Sequence, residues 1–345
     1  MSQTSTPLNT AAAPTFSNQV NVAFMLDNNF VEMALVAIYS MAKNTVAKLN
    51  VYIIDCGITS DNKLRFNQLK QLDAIASLHI KAPERYEAFE KASRANPSFP
   101  SALFYRLCVH RVFPELERVL VLDSDLLFLG DVAKLFNEDL HGTAFGVMNE
   151  SEYFGQYSFH KRLPFSASKY FNIGVLLVDC KRFEELKILE RVLEVVQTTT
   201  YRLVNLDQDA LNLCIHDDEY QGLSPIYNFL LLGRKAKKVW RTHAKDIMIV
   251  HYAGLAKPYF FNRYITRWLF KLGFMQFVGF YLTQYWHYAD EVRRLIPLLP
   301  GSLDILRERP TTITVKLMLK WCWKMIFQPL ERFMNKCFKR LKFNH

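Results

Sequence analysis

Residues 118–125 read RVLVLDSD, an apolar run that ends in two aspartates separated by one residue. Continuous Val and Leu bounded by turn residues is the pattern of a strand buried on both faces, as in a parallel sheet. In open α/β sheets ligands gather beyond the carboxyl ends of strands, so acidic residues at that end are site candidates. Asp123 and Asp125 stand two apart on extended chain, so both side chains leave on the same side and can share one hard cation through oxygen. Asp207 and Asp209 repeat the spacing, which by itself leaves a strand-end turn or a helix cap open for each pair.

Working outward, residues 21–26 (NVAFML) form a second apolar run, closed by Asp27-Asn28-Asn29 and followed by a helical pattern over 30–43. The alternation continues with a strand at 49–55, a helix over 60–72 capped by Ser60 or Asp61, and a strand near 78–80. A helix over 101–113, stopped by Pro114, leads into the 118–122 strand. Beyond it the pattern predicts strands at 174–178 and 247–250 and helices over 183–197 and 208–215. Strands that alternate with helices give an α/β fold with a largely parallel sheet.

Half of the 345 residues are apolar, enough for a sizeable core. The six cysteines include no C-x-x-C pair and no histidine at zinc-finger spacing, so reduced thiols are expected. Residues 1–18 are small and polar and read as a disordered leader, and the apolar-looking stretch 268–282 is short for a membrane span. The chain has no G-x-G and no P-loop, against a dinucleotide-binding oxidoreductase, and no nucleic-acid-reading motif. Its net charge of +10 lies in residues 259–345, where 15 Lys or Arg face 5 Asp or Glu, leaving the body neutral.

After the apolar run 247–250 comes His251-Tyr252-Ala253-Gly254-Leu255-Ala256-Lys257-Pro258. An imidazole can complete a cation shell, a glycine lets backbone approach a phosphate, and a lysine can neutralise it. A diphosphate leaving group needs such a cation, because negative charge develops on it as its bond to sugar breaks. Taken alone, the segment also fits a strand-end loop with a hydrogen-bonded histidine and a solvated lysine.

Together with Tyr105-Arg106-Leu107, Phe171-Asn172-Ile173-Gly174-Val175-Leu176-Leu177 and Asp207-Gln208-Asp209-Ala210-Leu211-Asn212, these segments stand in a fixed order from about Val20 to Tyr259. In that order they resemble glycosyltransferase family 8, the retaining enzymes that include hexosyltransferases of bacterial lipopolysaccharide outer core and glycogenin. The resemblance implies a GT-A fold: a Rossmann-like, mostly parallel sheet with helices on both faces, here followed by a helical basic and aromatic C-terminal region. It implies a UDP-sugar donor and Mn2+ or Mg2+ held by Asp123, Asp125 and His251.

By the same resemblance, Asp27, Asn29 and Phe30 contact the uridine, and Arg106 reaches the sugar or the aspartate pair. Asn172, Gly174, Asp207 and Gln208 line the donor-sugar and acceptor site, with Gln208 and Asp207 as the catalytic candidates, while Ser124, Gly254 and Lys257 complete the donor site. Asp209 is expected to orient its neighbours. Phe30 stands where the family usually has tyrosine, Ile173 where a small residue is common, and Tyr259 where tryptophan is common.

From Tyr259 onward aromatic and basic residues interleave, a composition suited to a membrane interface or, above all over 260–300, to a helical subdomain that packs its aromatics against the catalytic body. Lys316, Lys320 and Lys324 share one helical face, and five more cations follow Pro329. The chain therefore divides into a leader (1–18), a catalytic domain (19–259) and a membrane-associating region (260–345), with residues 311–345 as the contact to an anionic membrane. The expected acceptor is a lipid-linked oligosaccharide of lipopolysaccharide core, and the expected location cytoplasmic, peripheral at the inner membrane, without nucleic acid. Protein, glycogen or capsular polysaccharide are the alternative acceptors, and an inactive surface-binding protein on the same fold is the non-enzymatic alternative.

Overall fold

The computed structural model describes residues 17–95, 101–150, 170–231, 235–254, 257–258 and 276–297. Among them, ten strands are β1 (Gln19–Leu26), β2 (Lys48–Asp55), β3 (Ile75–Lys81), β4 (Arg118–Leu122), β5 (Leu126–Phe128), β6 (Phe145–Asn149), β7 (Phe171–Asp179), β8 (Tyr220–Leu223), β9 (Phe229–Leu230) and β10 (Ile249–His251). Seven pair in the order β3-β2-β1-β4-β7-β6-β8, and β5-β10-β9 form a smaller sheet. Only β7 runs against its neighbours in the large sheet: β1 is parallel to β2 and β4, β2 to β3, and β6 to β8.

The period-two alternation of the strands sorts their side chains into two cores. Val20, Val22, Phe24, Leu49, Val51, Ile53, Leu120 and Leu122 point to one, beneath the helix Val31–Asn44. Ala23, Tyr52, Ile54, Val119 and Val121 point to the other, against the segment Ser101–Cys108 and the helices Ile188–Thr198 and Leu206–Cys214. A sheet covered on both faces explains why the central strands read as unbroken apolar runs.

Local sterics redraw several predicted helices. The 60–72 pattern is an α-helix only over Ser60–Asn67, finishing in a tighter 3-10 turn, and its cap is Thr59, whose hydroxyl accepts from the Asn62 N–H at 3.4 Å. Ser60 and Asp61 instead occupy the first turn. The segment Ser101–Cys108 is a 3-10 helix with a single α turn after it, and the 183–197 pattern is two helices broken at Lys187, whose φ is 52°.

The helix Gln276–Leu295 belongs to the body. Phe277, Tyr281, Tyr285 and Trp286, which composition leaves open between a membrane interface and the body, are buried beside the helix Val31–Asn44. Tyr252 donates to the Tyr281 carbonyl at 2.6 Å, and Asn44 donates to the Tyr288 hydroxyl at 2.7 Å. Among the described residues no helix is long and apolar enough to cross a membrane. Residues 1–16 of the leader and the basic segment 311–345 lie outside the described residues.

Candidate active site

The sheet's carboxyl edge gathers the acidic turn. Asp123 leaves the end of β4 and is held by its N–H to the Gly174 carbonyl at 2.8 Å, while the Asp125 carbonyl accepts from the Tyr252 N–H at 2.9 Å. Because β5 pairs antiparallel with β10, with Leu126 opposite His251, the imidazole faces the two carboxylates. Its Nε2 lies 3.5 Å from Asp123 Oδ2 and 3.4 Å from Asp125 Oδ1. One ligand atom from each of the three residues falls within 4.8 Å of the others, a spacing at which one cation can be shared.

The donor set fits a divalent cation. Asn228 donates its amide to Asn172 Oδ1 at 2.9 Å, so its own carbonyl oxygen is the acceptor for His251 Nδ1 at 2.9 Å. That assigns the Nδ1 proton and turns Nε2 toward Asp123 and Asp125, the tautomer a metal ligand needs. Burial disfavours a charged imidazole, yet the neighbouring carboxylates of Asp125 and Asp123 push His251 up to about 9. Two oxygens and one nitrogen suit Mn2+ or Mg2+.

Gly174 makes room for this cluster. A Cβ there would stand 2.3 Å from His251 Cε1 and 2.8 Å from Asp123 Oδ2. The glycine is therefore a steric requirement of the cluster, as well as a residue of β7.

Two cations hold the carboxylates in place. Arg106, carried by the 3-10 segment, puts Nη1 2.6 Å from Asp123 Oδ1 and Nε 2.9 Å from Asp207 Oδ2. The Nε hydrogen is directed to the Leu103 carbonyl at 3.2 Å, so Asp207 Oδ2 is a buried oxygen without a hydrogen bond among the described residues. Burial would raise Asp123, but the Arg106 charge outweighs it and keeps the carboxylate ionised. At Asp207 burial wins, aided by Asp123 and opposed by Arg106, and pushes the carboxyl up to about 6. Burial would also raise Asp125; Lys257, which pairs with it directly, and His251 hold it well below the usual carboxylate range.

Lys257 also lies 5.7 Å from the centre of the Phe30 ring, joining the acidic turn to the turn after β1. In that turn the Asp27 carboxylate accepts from the Asn29 N–H at 2.8 Å, leaving Asn29 exposed and Phe30 half-buried. Asn28 fixes the turn from beneath, its carbonyl oxygen accepting from Asn62 Nδ2 at 2.8 Å and from the Thr59 hydroxyl at 3.1 Å. Ser124 is buried between the two aspartates, and Gly254 has a φ of 61°, where glycine is favoured.

The third group lies on the other side of Gly174. Gln208 is buried; its carbonyl oxygen accepts from Asn172 Nδ2 at 3.3 Å and from the Ile173 N–H at 3.4 Å, and its amide donates to Glu150 at 2.9 Å. Asp207 does not cap its helix. The cap position is Asn205, and Asp209 takes over the work, accepting from the N–H groups of Val204 (2.6 Å) and Asn205 (2.9 Å) and from the Tyr170 hydroxyl (2.6 Å). Thus Asp123, Ser124, Asp125, His251, Arg106, Lys257, Gly174, Asn172, Asp207 and Gln208 converge, and Asp27, Asn29 and Phe30 adjoin them through Lys257.

Sequence reasoning does not find Glu150 and Asn228. Glu150 is buried one residue beyond β6, and burial pushes it up to about 7. Asn228 immediately precedes the two-residue strand β9. Neither lies in a motif; only the convergence of β6, β7, β9 and β10 reveals them.

Comparisons with known proteins agree with this fold. The chain is 27% identical to general stress protein A of Bacillus subtilis (strain 168) over 61% of its own length and 77% of the relative's. It is 23% identical to lipopolysaccharide 1,2-glucosyltransferase of Escherichia coli (strain K12) over 70% of this chain and 74% of that one. The solved structure of the galactosyltransferase LgtC with donor and acceptor sugar analogs superposes with a TM-score of 0.61, at 19% identity, over 82% of this chain and 98% of LgtC. That likeness shows the GT-A fold. The profile of glycosyl transferase family 8 matches residues 21–262, a span that runs from β1 past Lys257 and takes in every residue of the site just described, so the chain belongs to glycosyl transferase family 8 and is a glycosyltransferase.

Proposed function

We propose that the protein transfers glucose or galactose, with retention, from a UDP-sugar to a lipopolysaccharide-core acceptor at the cytoplasmic face of the inner membrane. The observation that carries this reading is the cluster of Asp123, Asp125 and His251 between Arg106 and Lys257 at one end of the sheet. Bound there, Mn2+ or Mg2+ supplies a Lewis acid for the diphosphate as negative charge develops on it. Lys257 adds a positive charge beside the diphosphate, Gly254 lets backbone approach it, and Asp27, Asn29 and Phe30 take the uridine. Asn172, Arg106 and the Asp207 oxygen that accepts no hydrogen bond orient the sugar hydroxyls.

Retention is what the resemblance to the family implies, and the environment of Gln208 speaks against a covalent enzyme intermediate on that route. An amide is a weak nucleophile, and this one is tied to Asn172, Ile173 and Glu150. The acceptor hydroxyl therefore attacks C1 from the side the diphosphate leaves. The C1–oxygen bond to diphosphate breaks, the bond to the acceptor oxygen forms on the same face, and the acceptor proton passes to a diphosphate oxygen. The similarity to the Escherichia coli lipopolysaccharide 1,2-glucosyltransferase supports the acceptor class, and residues 311–345 hold the enzyme on the anionic leaflet.

The test is a screen of radiolabelled UDP-glucose and UDP-galactose against truncated lipopolysaccharide acceptors with manganese. The expected result is an α-linked product, lost with a chelator and regained with Mn2+ or Mg2+. Near-full activity of Asp125→Ala would remove the metal role, and a β-linked product by NMR would remove retention.

A further inference from the structure

Residues 235–245 read KAKKVWRTHAK, with five Lys or Arg and no Asp or Glu. They build the helix Ala236–His243, the crossover from β9 to the parallel strand β10. Its apolar side is fully used: Ala236 and Val239 are buried, and Trp240 stacks on Phe277 of the helix Gln276–Leu295 with ring centres 5.6 Å apart. Lys237, Lys238 and Arg241 stand three and four residues apart on the opposite face of the helix, and Lys245 follows in the turn beyond it. With Lys235 they are all exposed.

Several other cations of the body pair with carboxylates, as in Lys63–Asp55, Arg111–Glu184, Arg182–Glu185 and Arg191–Glu219. These five have no carboxylate partner among the described residues. Phe280, one turn beyond the Phe277 that meets Trp240, is 46% exposed. Lys235 lies four residues after Leu231, whose N–H bonds the His251 carbonyl at 3.2 Å. Four residues span at most about 14 Å, so the basic face begins near the active site.

We infer that this face docks the catalytic body on an anionic bilayer, Lys235, Lys237, Lys238, Arg241 and Lys245 meeting lipid phosphates while Phe280 enters the interfacial layer. A cationic helix face together with an exposed aromatic ring on the helix it packs against is the chemistry of an interfacial surface. A soluble polyanion would match the charges but leave Phe280 without a role. The inference extends the membrane part of the proposed function from residues 311–345 to the body, and it is independent of which sugar is moved.

The full-length chain carrying Lys237→Gln, Lys238→Gln, Arg241→Gln and Lys245→Gln together is compared with its parent by sedimentation with phosphatidylcholine vesicles with and without phosphatidylglycerol. A Lys or Arg near an anionic leaflet contributes about fivefold, so even half of the four engaged give roughly a 25-fold loss of partitioning, confined to the phosphatidylglycerol vesicles and low salt. Phe280→Ser alone should lose about tenfold, and that loss should persist in high salt. Vesicle binding by the four-residue variant within twofold of the parent overturns the inference. So does a silent Phe280→Ser combined with equal losses on vesicles and on immobilised inorganic polyphosphate, which would assign the face to soluble polyanions. UDP-hexose turnover on a soluble acceptor is measured alongside: its absence in the parent, with salt-dependent vesicle binding intact, would count against the transfer reading and leave the docking face standing.

Discussion

Gly174→Ala is the smallest change that tests the metal cluster. The added methyl would sit 2.3 Å from His251 Cε1 and 2.8 Å from Asp123 Oδ2, so a normal carbon–carbon contact requires about 1 Å of movement. The backbone gives little of it: β7 is bonded to β4 and β6 on either side of the register shift at Gly174, whose carbonyl holds the Asp123 N–H at 2.8 Å and whose N–H donates to Asn172 Oδ1 at 3.0 Å. The imidazole must give way, straining or breaking its 2.9 Å bond to Asn228. Overpacking of this kind costs about 1–3 kcal/mol, or roughly 2–12 °C in Tm for a domain of this size.

Function should suffer more than stability. A misplacement of about 1 Å costs on the order of 10²-fold in rate, and a disturbed second shell about 10–100-fold in metal affinity. The assay is kcat/KM for UDP-hexose turnover across a manganese titration, with circular dichroism and Tm as controls. Gly222→Ala is the matched control, since a Cβ there meets nothing within 4 Å. Turnover within threefold of the parent at an unchanged manganese midpoint would refute the argument that Gly174 shapes the cluster.

Arg106→Lys should lower activity by at least about 10²-fold and destabilise the fold by about 3 kcal/mol, because a point charge cannot serve Asp123 and Asp207 together and one buried carboxylate loses its partner; steady-state kinetics and urea midpoints check both. Glu150 is expected to impose a pH slope on stability: burial raises its folded pKa from 4.5 to about 7, so the folded state holds the extra proton and loses up to about 3 kcal/mol as pH rises from about 4.5 to 7, with no further change above. Glu150→Gln should remove that slope, read as urea midpoints at pH 5 and pH 8, and a slope equal to the parent's would contradict it. A chain ending after Pro310 should lose most of its affinity for phosphatidylglycerol vesicles, keep the fraction carried by the basic helix, and bind UDP with metal as before; equal, salt-insensitive pelleting of both forms would count against a membrane role for the tail.

Much of this protein is legible along the chain. Apolar runs of the right length place β1, β2 and β4, because a strand buried on both faces has no polar alternation to blur it, and Asp123 and Asp125 end such a run wherever the rest of the chain goes. Short segments give less: the apolar run 247–250 foresees β10, but β5 and β9, of three and two residues, exist only because they pair with it. Composition leaves Phe277, Tyr281, Tyr285 and Trp286 undecided, since aromatic residues suit a bilayer interface and a protein core equally and only the docking partner decides.

The sequence by itself determined the chemical types: two carboxylates, an imidazole, a guanidinium and an ammonium at separate positions, together with the charge asymmetry between body and tail. Tertiary structure alone decided what they do to one another. Pairing of β5 with β10 turned His251 onto Asp123 and Asp125, Asn228 fixed its tautomer, and Arg106 came to stand between Asp123 and Asp207. Burial gave Asp207 and Glu150 carboxyl groups that hold protons near neutrality. The physical reason is that hydrophobic patterning acts over a few residues, whereas Coulomb interaction and desolvation depend on distances of a few ångströms that only the folded chain creates.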